Sequence, residues 1–410
     1  MPLEALQETW AVLRKNRLRT LLTALSVAWG MFMLALLLGA GRGLENGVIW
    51  EFRDEAVNSI SLASGKTSVP FAGRGPGRSI HFDNDDFESI GRNIPNLEHS
   101  TGRFQLWGEF FVSYGRKHAA FDIRGTHPDH RFLEKTEMLR GRFLNAVDIR
   151  ERRKVAVIGR QVRLSLFGDE APVGKYIQIR GVSYLVVGEF EDVGGEAELR
   201  KIYVPISTAQ LIYNQPGTVD QLMFTLDTED LERSQRIADL AHALVASHHE
   251  VALEDRRAIR VQNNFARFKK TTQVLTWLKA FVWIVGIGTL IAGIVGVGNI
   301  MLISVAERTK EFGIRKALGA TPLSIVGMVV FEATLITAVS GYLGLIAGLA
   351  TVELVAHIAK DAPFFRAPST DLGVALGAAA SLVVVGALAG LFPALRATRV
   401  DPIVALREGE

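Results

Sequence analysis

Two short stretches of this sequence carry residue types that bind phosphate or metal ions in other proteins. Ser64-Gly65-Lys66-Thr67 ends like a phosphate-binding loop, whose backbone N–H groups and lysine hold nucleotide phosphates. Such a loop also needs a glycine five residues before Gly65, and Ile60 occupies that position. We therefore predict a surface turn here rather than a nucleotide site.

The second stretch, His248-His249-Glu250, combines two metal-binding side chains with a carboxylate. A zinc protease helix places its histidines four residues apart on one face, whereas adjacent helical histidines point in different directions. We predict that both histidines face solvent and that the chain has no metal site. The sequence contains no nucleophile elbow, no glycine-rich dinucleotide fingerprint and no cysteine, so we expect no catalytic residue and no cofactor bound by this chain.

A compact charged segment, ERTKEFGIRKALGAT at 307–321, lies between two apolar runs. Opposite charges three or four residues apart favour a short helix there. The pairs with this spacing are Glu307 with Lys310 and Glu311 with Arg315. Gly319 is expected to end the helix, and Thr321 with Pro322 to begin the next one.

The charged segment also contains three apolar residues, Phe312, Ile314 and Leu318. A solvated loop beside a membrane requires only lysines and arginines, whereas this segment adds paired glutamates, helix caps and apolar side chains. We prefer the hypothesis of a rigid docking element, with these three residues as projecting anchors, over that of a solvated loop.

The elements that hold this segment are apolar runs at 21–41, 280–306, 323–352 and 372–395, in which Glu332 is the only ionisable residue. About 20 apolar residues suffice for a helix to cross the hydrocarbon core. The runs predict an integral membrane α-helical protein with four transmembrane helices. Buried helices of a soluble protein, and a cleaved signal peptide for the first run, are the less favoured alternatives because the runs are too long.

Basic residues beside the spans determine the predicted orientation. They cluster before the first span, between the second and third, and after the fourth, so the positive-inside rule places both termini in the cytoplasm of a bacterial inner membrane. Membrane topology explains the pI near 9.1 better than binding of nucleic acid does.

The predicted order of segments follows from this orientation. It is a cytoplasmic amphipathic helix at 1–17, TM1 at 18–41, an extracytoplasmic domain at 42–272, TM2 at 278–306, the cytoplasmic segment at 307–321, TM3 at 322–352, a short extracytoplasmic loop at 353–370, TM4 at 371–395 and a cytoplasmic tail at 396–410.

The large extracytoplasmic domain between TM1 and TM2 is predicted to be mixed α/β, with two subdomains. Strand-like runs occur at 153–159, 175–179 and 182–190, and 231–249 has helical periodicity. Asp83-Asn84 precedes DDFESI, which is a signal for the N-terminus of a further helix.

Polar and small residues inside the spans predict how the helices pack. Glu332 either serves a substrate or a proton, or pairs with a nearby cation near the cytoplasmic interface, and we favour the pairing. Small residues at four-residue spacing let helix backbones approach closely. The glycines with this expected packing role are Gly288, Gly296, Gly344, Gly348, Gly373 and Gly377.

Several stretches of the chain resemble MacB/FtsX-type permeases of bacterial ABC transport systems. ERTKEFGIRKALGA resembles the family's segment after the second span, and VVFEATLIT at 329–337 resembles the opening of its third span. PALRATRVDPIVALR at 393–407 is similar to the closing motif, in which Asp401 and Pro402 would cap a last short helix. GRFLNAVDIRERRKVAVIG and LFGDEAPVGKYIQIRGVSYLVVGEF, which ends at 190, resemble the periplasmic core domain.

The resemblance implies a stand-alone permease subunit that works as a homodimer, or with a related permease, beside a separate ABC ATPase subunit carrying ATP and Mg. Hydrolysis would move periplasmic domains, which is called mechanotransmission, and a periplasmic adaptor and an outer-membrane channel are possible further partners. The residues it implies for ATPase coupling are Glu307, Arg308, Lys310, Glu311, Phe312, Gly313, Ile314, Arg315, Lys316, Leu318 and Gly319.

Within this family two classes of function stay open. The first is export or extrusion of peptides, amphipathic drugs or lipids. The alternative is an FtsX-like signalling protein that activates a periplasmic partner such as a cell-wall hydrolase, or a permease for lipoprotein release. The full-size outer domain favours extrusion, because regulators of this family have smaller ones.

The incomplete phosphate-binding loop gives a first testable prediction. The purified chain should neither bind nor hydrolyse ATP, because Ile60 replaces the required glycine. Phosphate release by the chain in detergent is the measurement, with buffer alone as the baseline. Hydrolysis by a preparation free of other ATPases would contradict this expectation.

Overall fold

The computed structural model describes residues 17–399, except for 54, 193, 229, 359–365 and 367–371. The predicted amphipathic helix at 1–17, most of the short loop at 353–370 and the cap at Asp401 and Pro402 lie outside the described residues. The chain divides into two compact units. The first, the membrane unit, combines the residues up to Ile49 with those from Gln273 onwards, and the second, the outer domain, is Trp50–Thr272.

Four helices of the described chain are long and apolar enough to cross a membrane. They are α1 (Arg17–Glu51), α9 (Asn264–Glu307), α11 (Pro322–Ile358) and α12 (Leu372–Ala397). The predicted fold class, four apolar helices with a mixed α/β domain between the first and the second, is confirmed. Several helices extend beyond the predicted spans, since a helix continues into polar sequence wherever nothing terminates it.

One apolar cluster forms the centre of the membrane unit. It includes Met31 of the first span, Met301 of the second, Val329 of the third and Ala389 of the fourth. Large apolar side chains on the opposite faces are exposed, among them Trp29, Trp283 and Phe392. In a protein that spans a membrane, those faces contact lipid.

The outer domain contains a single mixed sheet. Within the described residues it has eleven strands. They are β1 (Ser59–Ser64), β2 (Leu97–Gln105), β3 (Phe110–Tyr114), β4 (Lys117–Thr126), β5 (Glu137–Gly141), β6 (Val155–Gly159), β7 (Tyr176–Ile179), β8 (Val182–Glu191), β9 (Lys201–Pro205), β10 (Gln221–Leu226) and β11 (Ile259–Asn263).

Strand pairing divides this sheet into an open part and a ring. The open part runs β11-β1-β10-β2 and joins the ring through β4. The ring continues β4-β3-β7-β8-β6-β9 and closes because β9 pairs in parallel with β4, placing Ile123 opposite Ile202. Strand β5 adds to β8 outside the ring. Apolar side chains from both parts share one core, which includes Leu62, Phe121 and Val204.

Short helices cover the sheet. They are α2 (Asn84–Asn93), α3 (His130–Leu133), α4 (Ala146–Arg150), α5 (Arg160–Leu166), α6 (Glu196–Leu199), α7 (Ile206–Ile212) and α8 (Leu231–His248). The strands predicted at 153–159, 175–179 and 182–190 and the helix predicted at 231–249 are all present. Asp83 caps α2 as expected, and it does so reciprocally with Asp86 in a capping box.

A buried cluster of charges lies within the outer domain around Glu134. Arg103 Nη1 is 3.3 Å from one carboxylate oxygen, Lys201 Nζ is 3.8 Å from the other, and the buried ring of His130 is 3.9 Å away. Burial raises the pKa of Glu134, but the neighbouring positive charges outweigh this effect and hold the pKa below its ordinary value. Burial also lowers the pKa of His130 to about 3, so this ring is neutral near pH 7. Glu134 is therefore a carboxylate partner that both cations share, and Lys201 also pairs with Glu198.

Removing the Glu134 carboxylate should destabilise the outer domain strongly. Glu134→Ala leaves Arg103 and Lys201 without their shared partner, and breaking a buried pair in this way costs about 3–5 kcal/mol. Thermal unfolding of the full chain in detergent measures the loss. Glu137→Ala, at an exposed glutamate of the next strand, is the control and should change stability by no more than about 0.5 kcal/mol. Equal unfolding temperatures for both variants would contradict the assigned role.

Candidate functional site

The charged segment at 307–321, called the coupling segment from here on, forms a separate short helix. The second span ends at Glu307, and α10 (Thr309–Ala317) follows after Arg308, whose φ of −104° and ψ of 15° interrupt the helical path. Gly319 has a φ of +93°, a conformation that glycine adopts without strain, and the third span begins at Pro322. The helix and its predicted stop are thus both present.

The side chain of Arg308 holds the start of this helix in place. Its Nε donates to Oε2 of Glu311 at 2.8 Å, and its Nη2 donates to Oε1 at 3.0 Å. Arg315 Nη2 lies 3.0 Å from the same Oε1, which is the pair expected from the i, i+4 spacing. Hydrogen bonds from Arg308 lower the pKa of Glu311 below its ordinary value, so the carboxylate stays charged near pH 7.

The same guanidinium also contacts the third span. Arg308 Nη1 donates to Oε2 of the buried Glu332 at 3.0 Å. One arginine therefore bridges a carboxylate of α10 and a carboxylate of α11. This contact is the pairing with a nearby cation that we favoured for Glu332.

The prediction that Phe312 projects towards a partner is wrong. Its ring is 1% exposed and belongs to the apolar cluster of the membrane unit, together with Ile325 and Ala397. Gly313 is buried as well. The sequence shows that this face of the helix is apolar, but it does not show that the protein's own spans cover it. Phe312 fastens α10 to the bundle.

The other two predicted anchors are accessible. Ile314 is 42% exposed and Leu318 is 83% exposed. Glu307 and Lys310 are exposed too, whereas Lys316 turns inwards, where its Nζ donates to the carbonyl oxygen of Thr398 at 2.8 Å. The exposed surface of the coupling segment therefore combines charged groups with two aliphatic side chains.

The glycines predicted to pack against neighbouring helices do so to different degrees in different spans. A Cβ on Gly344 would collide with the Ala28 carbonyl, and one on Gly348 would lie 2.7 Å from the Ala35 Cβ, so both glycines contact the first span as predicted. Gly296 approaches only the Ser26 hydroxyl, at 4.0 Å.

The predicted packing role of Gly288 and Gly377 is wrong within the described part of the chain. A Cβ at either position would meet no atom there within 4 Å, and Gly373 is likewise exposed. Spacing alone does not tell which face of a helix meets a neighbour. Sequence reasoning also missed Gly386 and Gly390, which have the same four-residue spacing and pack against Thr334 and Ala333 of the third span.

The prediction that both His248 and His249 face solvent is correct for His248, whose side chain is 48% exposed, and wrong for His249, whose side chain is 14% exposed. His248 Nδ1 and His249 Nε2 each lie 2.7 Å from a different oxygen of Asp86. His249 is the C-terminal cap of α8 and leaves the regular helix, which lets two adjacent rings converge. The hydrogen bond to Asp86 raises the pKa of His248. Asp86 is 162 residues away from His248, so no local pattern indicates the contact.

Comparison with protein families gives a match over most of the chain. Residues 20–239, more than half of the protein, match the MacB-like periplasmic core domain. The chain belongs to the MacB/FtsX-type permeases. Residues 283–402, which include the coupling segment, match the FtsX-like permease C-terminal domain. The resemblance inferred from the sequence is confirmed, and the chain is a multi-pass membrane protein with a periplasmic-type domain.

Individual relatives of this permease carry names that combine ATP binding and transport. A macrolide export ATP-binding/permease protein MacB from Bdellovibrio bacteriovorus is 26% identical over 416 residues, covering 99% of this chain and 62% of the relative. A pyoverdine export ATP-binding/permease protein PvdT from Pseudomonas savastanoi pv. phaseolicola is 28% identical, covering 98% of this chain and 59% of the relative. The chain thus spans about 60% of the length of these curated relatives.

Solved structures similar to this chain include a periplasmic region and an extracellular domain. The periplasmic region of MacB from Actinobacillus actinomycetemcomitans is 16% identical and covers 55% of this chain and 97% of its own, with a TM-score of 0.45. The extracellular domain of the ABC-type transporter YknZ from Gram-positive bacteria is 17% identical and covers 50% of this chain and 100% of its own, with a TM-score of 0.43.

The bridge made by Arg308 gives a prediction that separates the two roles considered for Glu332. Arg308→Met should destabilise the protein by about 3–5 kcal/mol, because it leaves a buried carboxylate unpaired. The double variant Arg308→Met/Glu332→Met should regain most of the stability, since no uncompensated charge remains. Thermal unfolding in detergent is the measurement, and Lys310→Met at an exposed lysine is the control.

Activity of the double variant provides the second half of this test. If Glu332 acts only through its pairing, the double variant should lose transport-coupled ATPase activity because α10 is no longer joined to α11, whereas Glu332→Gln, which can still accept a hydrogen bond from Arg308, should retain most of it. A Glu332→Gln variant that is as stable as the wild type but inactive would show that the carboxylate serves a proton or a substrate instead.

Proposed function

We propose that this chain is the non-catalytic permease subunit of an ABC transporter. In this proposal, a separate ATPase subunit binds ATP and Mg, and its movement is passed through the permease to the outer domain. The observation that best supports this proposal is the set of contacts made by the coupling segment. Its helix is joined to the third span by Arg308 and to the bundle by Phe312, while Ile314 and Leu318 stay exposed.

This construction suits a segment that transmits force. A partner that pushes on the exposed side of α10 displaces a short helix held at several points, so the spans have to follow. Arg308 bonds to Glu332, Phe312 lies in the apolar cluster, and Lys316 bonds to the end of the fourth span. A solvated loop would lack these contacts and would absorb the motion.

The proposed orientation places both termini and the coupling segment in the cytoplasm of a bacterial inner membrane, with the outer domain in the periplasm. Basic residues beside the spans support it, through the positive-inside rule. ATP is available on that side only, so the ATPase has to meet the coupling segment there. A second permease copy, as homodimer or related chain, completes the proposed complex, and a periplasmic adaptor with an outer-membrane channel is a further proposed partner.

Export or extrusion is the proposed direction of transport, with peptides, amphipathic drugs or lipids as the class of substrate. Relatives named for export of macrolides and of pyoverdine support this choice. The match to the MacB-like core domain, which includes residues up to 239, favours extrusion over the signalling alternative.

Docking of the ATPase through the exposed face gives the test of this proposal. Ile314→Asp with Leu318→Asp places two charges where apolar contacts are required, and loss of an interface hot spot costs about 2 kcal/mol or more. We expect at least about tenfold weaker retention of the ATP-hydrolysing polypeptide that copurifies with the wild-type chain from native membranes. Transport-coupled ATPase activity in proteoliposomes should fall in parallel.

Two further variants make the test specific. Leu253→Asp changes an equally apolar, exposed residue of the outer domain and should leave copurification unchanged. Phe312→Ala should lower the unfolding temperature of the chain itself, because it opens a cavity in the bundle. If the double aspartate variant retains the ATPase as well as the wild type does, the coupling segment is not its docking site.

A further inference from the structure

We propose that Asp86, His248 and His249 form a binding site for a divalent transition metal ion, with Zn²⁺ as the favoured ion. The site lies in the outer domain, far along the sequence from the coupling segment, and does not depend on the transport function proposed above. It joins the first turn of α2 to the end of α8.

The geometry of the three side chains fits a small ion. One ligand atom from each residue lies within 4.8 Å of the others. His248 offers Nδ1 and His249 offers Nε2, and the two rings are 4.9 Å apart between centroids with an interplanar angle of 54°. The rings therefore converge on the carboxylate from different directions. Zinc takes histidine nitrogens and carboxylate oxygens at about 2.0–2.2 Å, so a small outward shift of the rings makes room for it.

The ligands are held in position by contacts that metal binding leaves intact. Asp86 is 2% exposed in its side chain, and its Oδ2 accepts a hydrogen bond from the Asp83 backbone N–H at 2.9 Å. The carbonyl of His249 accepts one from Arg78 Nη2 at 2.7 Å. Such supporting hydrogen bonds orient metal ligands and raise affinity.

Access and charge also favour an ion at this place. His248 is 48% exposed in its side chain, so an ion reaches the cluster from solvent and a water molecule can complete a tetrahedral set. The carboxylates of Asp83 and Asp85 act on His248 electrostatically and add negative charge, against the single positive charge of Arg78. Two histidines with one carboxylate are a donor set that zinc uses in proteins.

Zinc binding by the full chain tests the proposal. Tag-free protein in detergent, stripped with a chelator, is titrated with Zn²⁺ in competition with a chromophoric chelator. We expect one ion per chain with micromolar or tighter affinity, and an unfolding temperature raised by several degrees because the ion binds the folded state. X-ray absorption should show two histidine nitrogens at about 2.0–2.1 Å from the zinc.

Variants identify the ligands. His249→Ala and Asp86→Asn should each weaken binding at least about tenfold. His248→Asn keeps a donor for Asp86 but is a poor zinc ligand, so it should lose zinc while its metal-free unfolding temperature stays near that of the wild type. His99→Ala is the matched control, since His99 lies beside Asp129 in the same domain, with 3.7 Å between nitrogen and oxygen, outside the cluster.

Three results would overturn the proposal. They are less than one zinc ion per chain at saturation, equal affinity in the wild type and all three ligand variants, and an absorption spectrum without histidine ligands. Loss of zinc in His99→Ala as strong as that in His248→Asn would also exclude this cluster as the site.

Discussion

A buried carboxylate in an apolar bundle needs a fixed cation, and the arrangement around the coupling segment follows from that need. Glu332 has Arg308 as its partner, and Arg308 lies where the chain leaves the helical path between Glu307 and Thr309. The same guanidinium then orders Glu311 and the start of α10. One ion pair inside the membrane unit thus determines where the surface helix lies and which of its faces, with Ile314 and Leu318, stays open.

The outer domain obeys the same rule in a different setting. Glu134 is shared by Arg103 and Lys201 within the sheet, and Asp86 is shared by two imidazole rings at a helix end. In each place a buried carboxylate contacts nitrogen atoms of basic side chains that come from distant parts of the sequence. Because a missing partner costs several kcal/mol, these clusters specify one arrangement of the elements around them.

The sequence predicts those features that depend on local pattern. The four apolar runs, the Gly319 stop and the Glu311–Arg315 pair follow from composition or from spacing of a few residues, and the family follows from the resemblance of several longer motifs. The sequence does not predict features that depend on which helices and strands pack against each other. Phe312 has the same apolar character whether the bundle or a partner covers it, and Gly288 has the same spacing as Gly344 but no neighbour in the described chain. The meeting of Asp86 with His248 has no local signal at all.

The position of β1 in the sheet has a consequence for the order of folding. Its residues pair with β10 and with β11, so that Leu62 lies opposite Leu222 on one side and Val261 on the other. Contacts of such long sequence separation form late and slowly, because a large loop has to close first. The open sheet is therefore incomplete until the strand that ends at Asn263, directly ahead of the second span, has been synthesised. Synthesis of the whole insert must precede its final folding, and during that interval β1 has two unpaired edges that invite association with another chain.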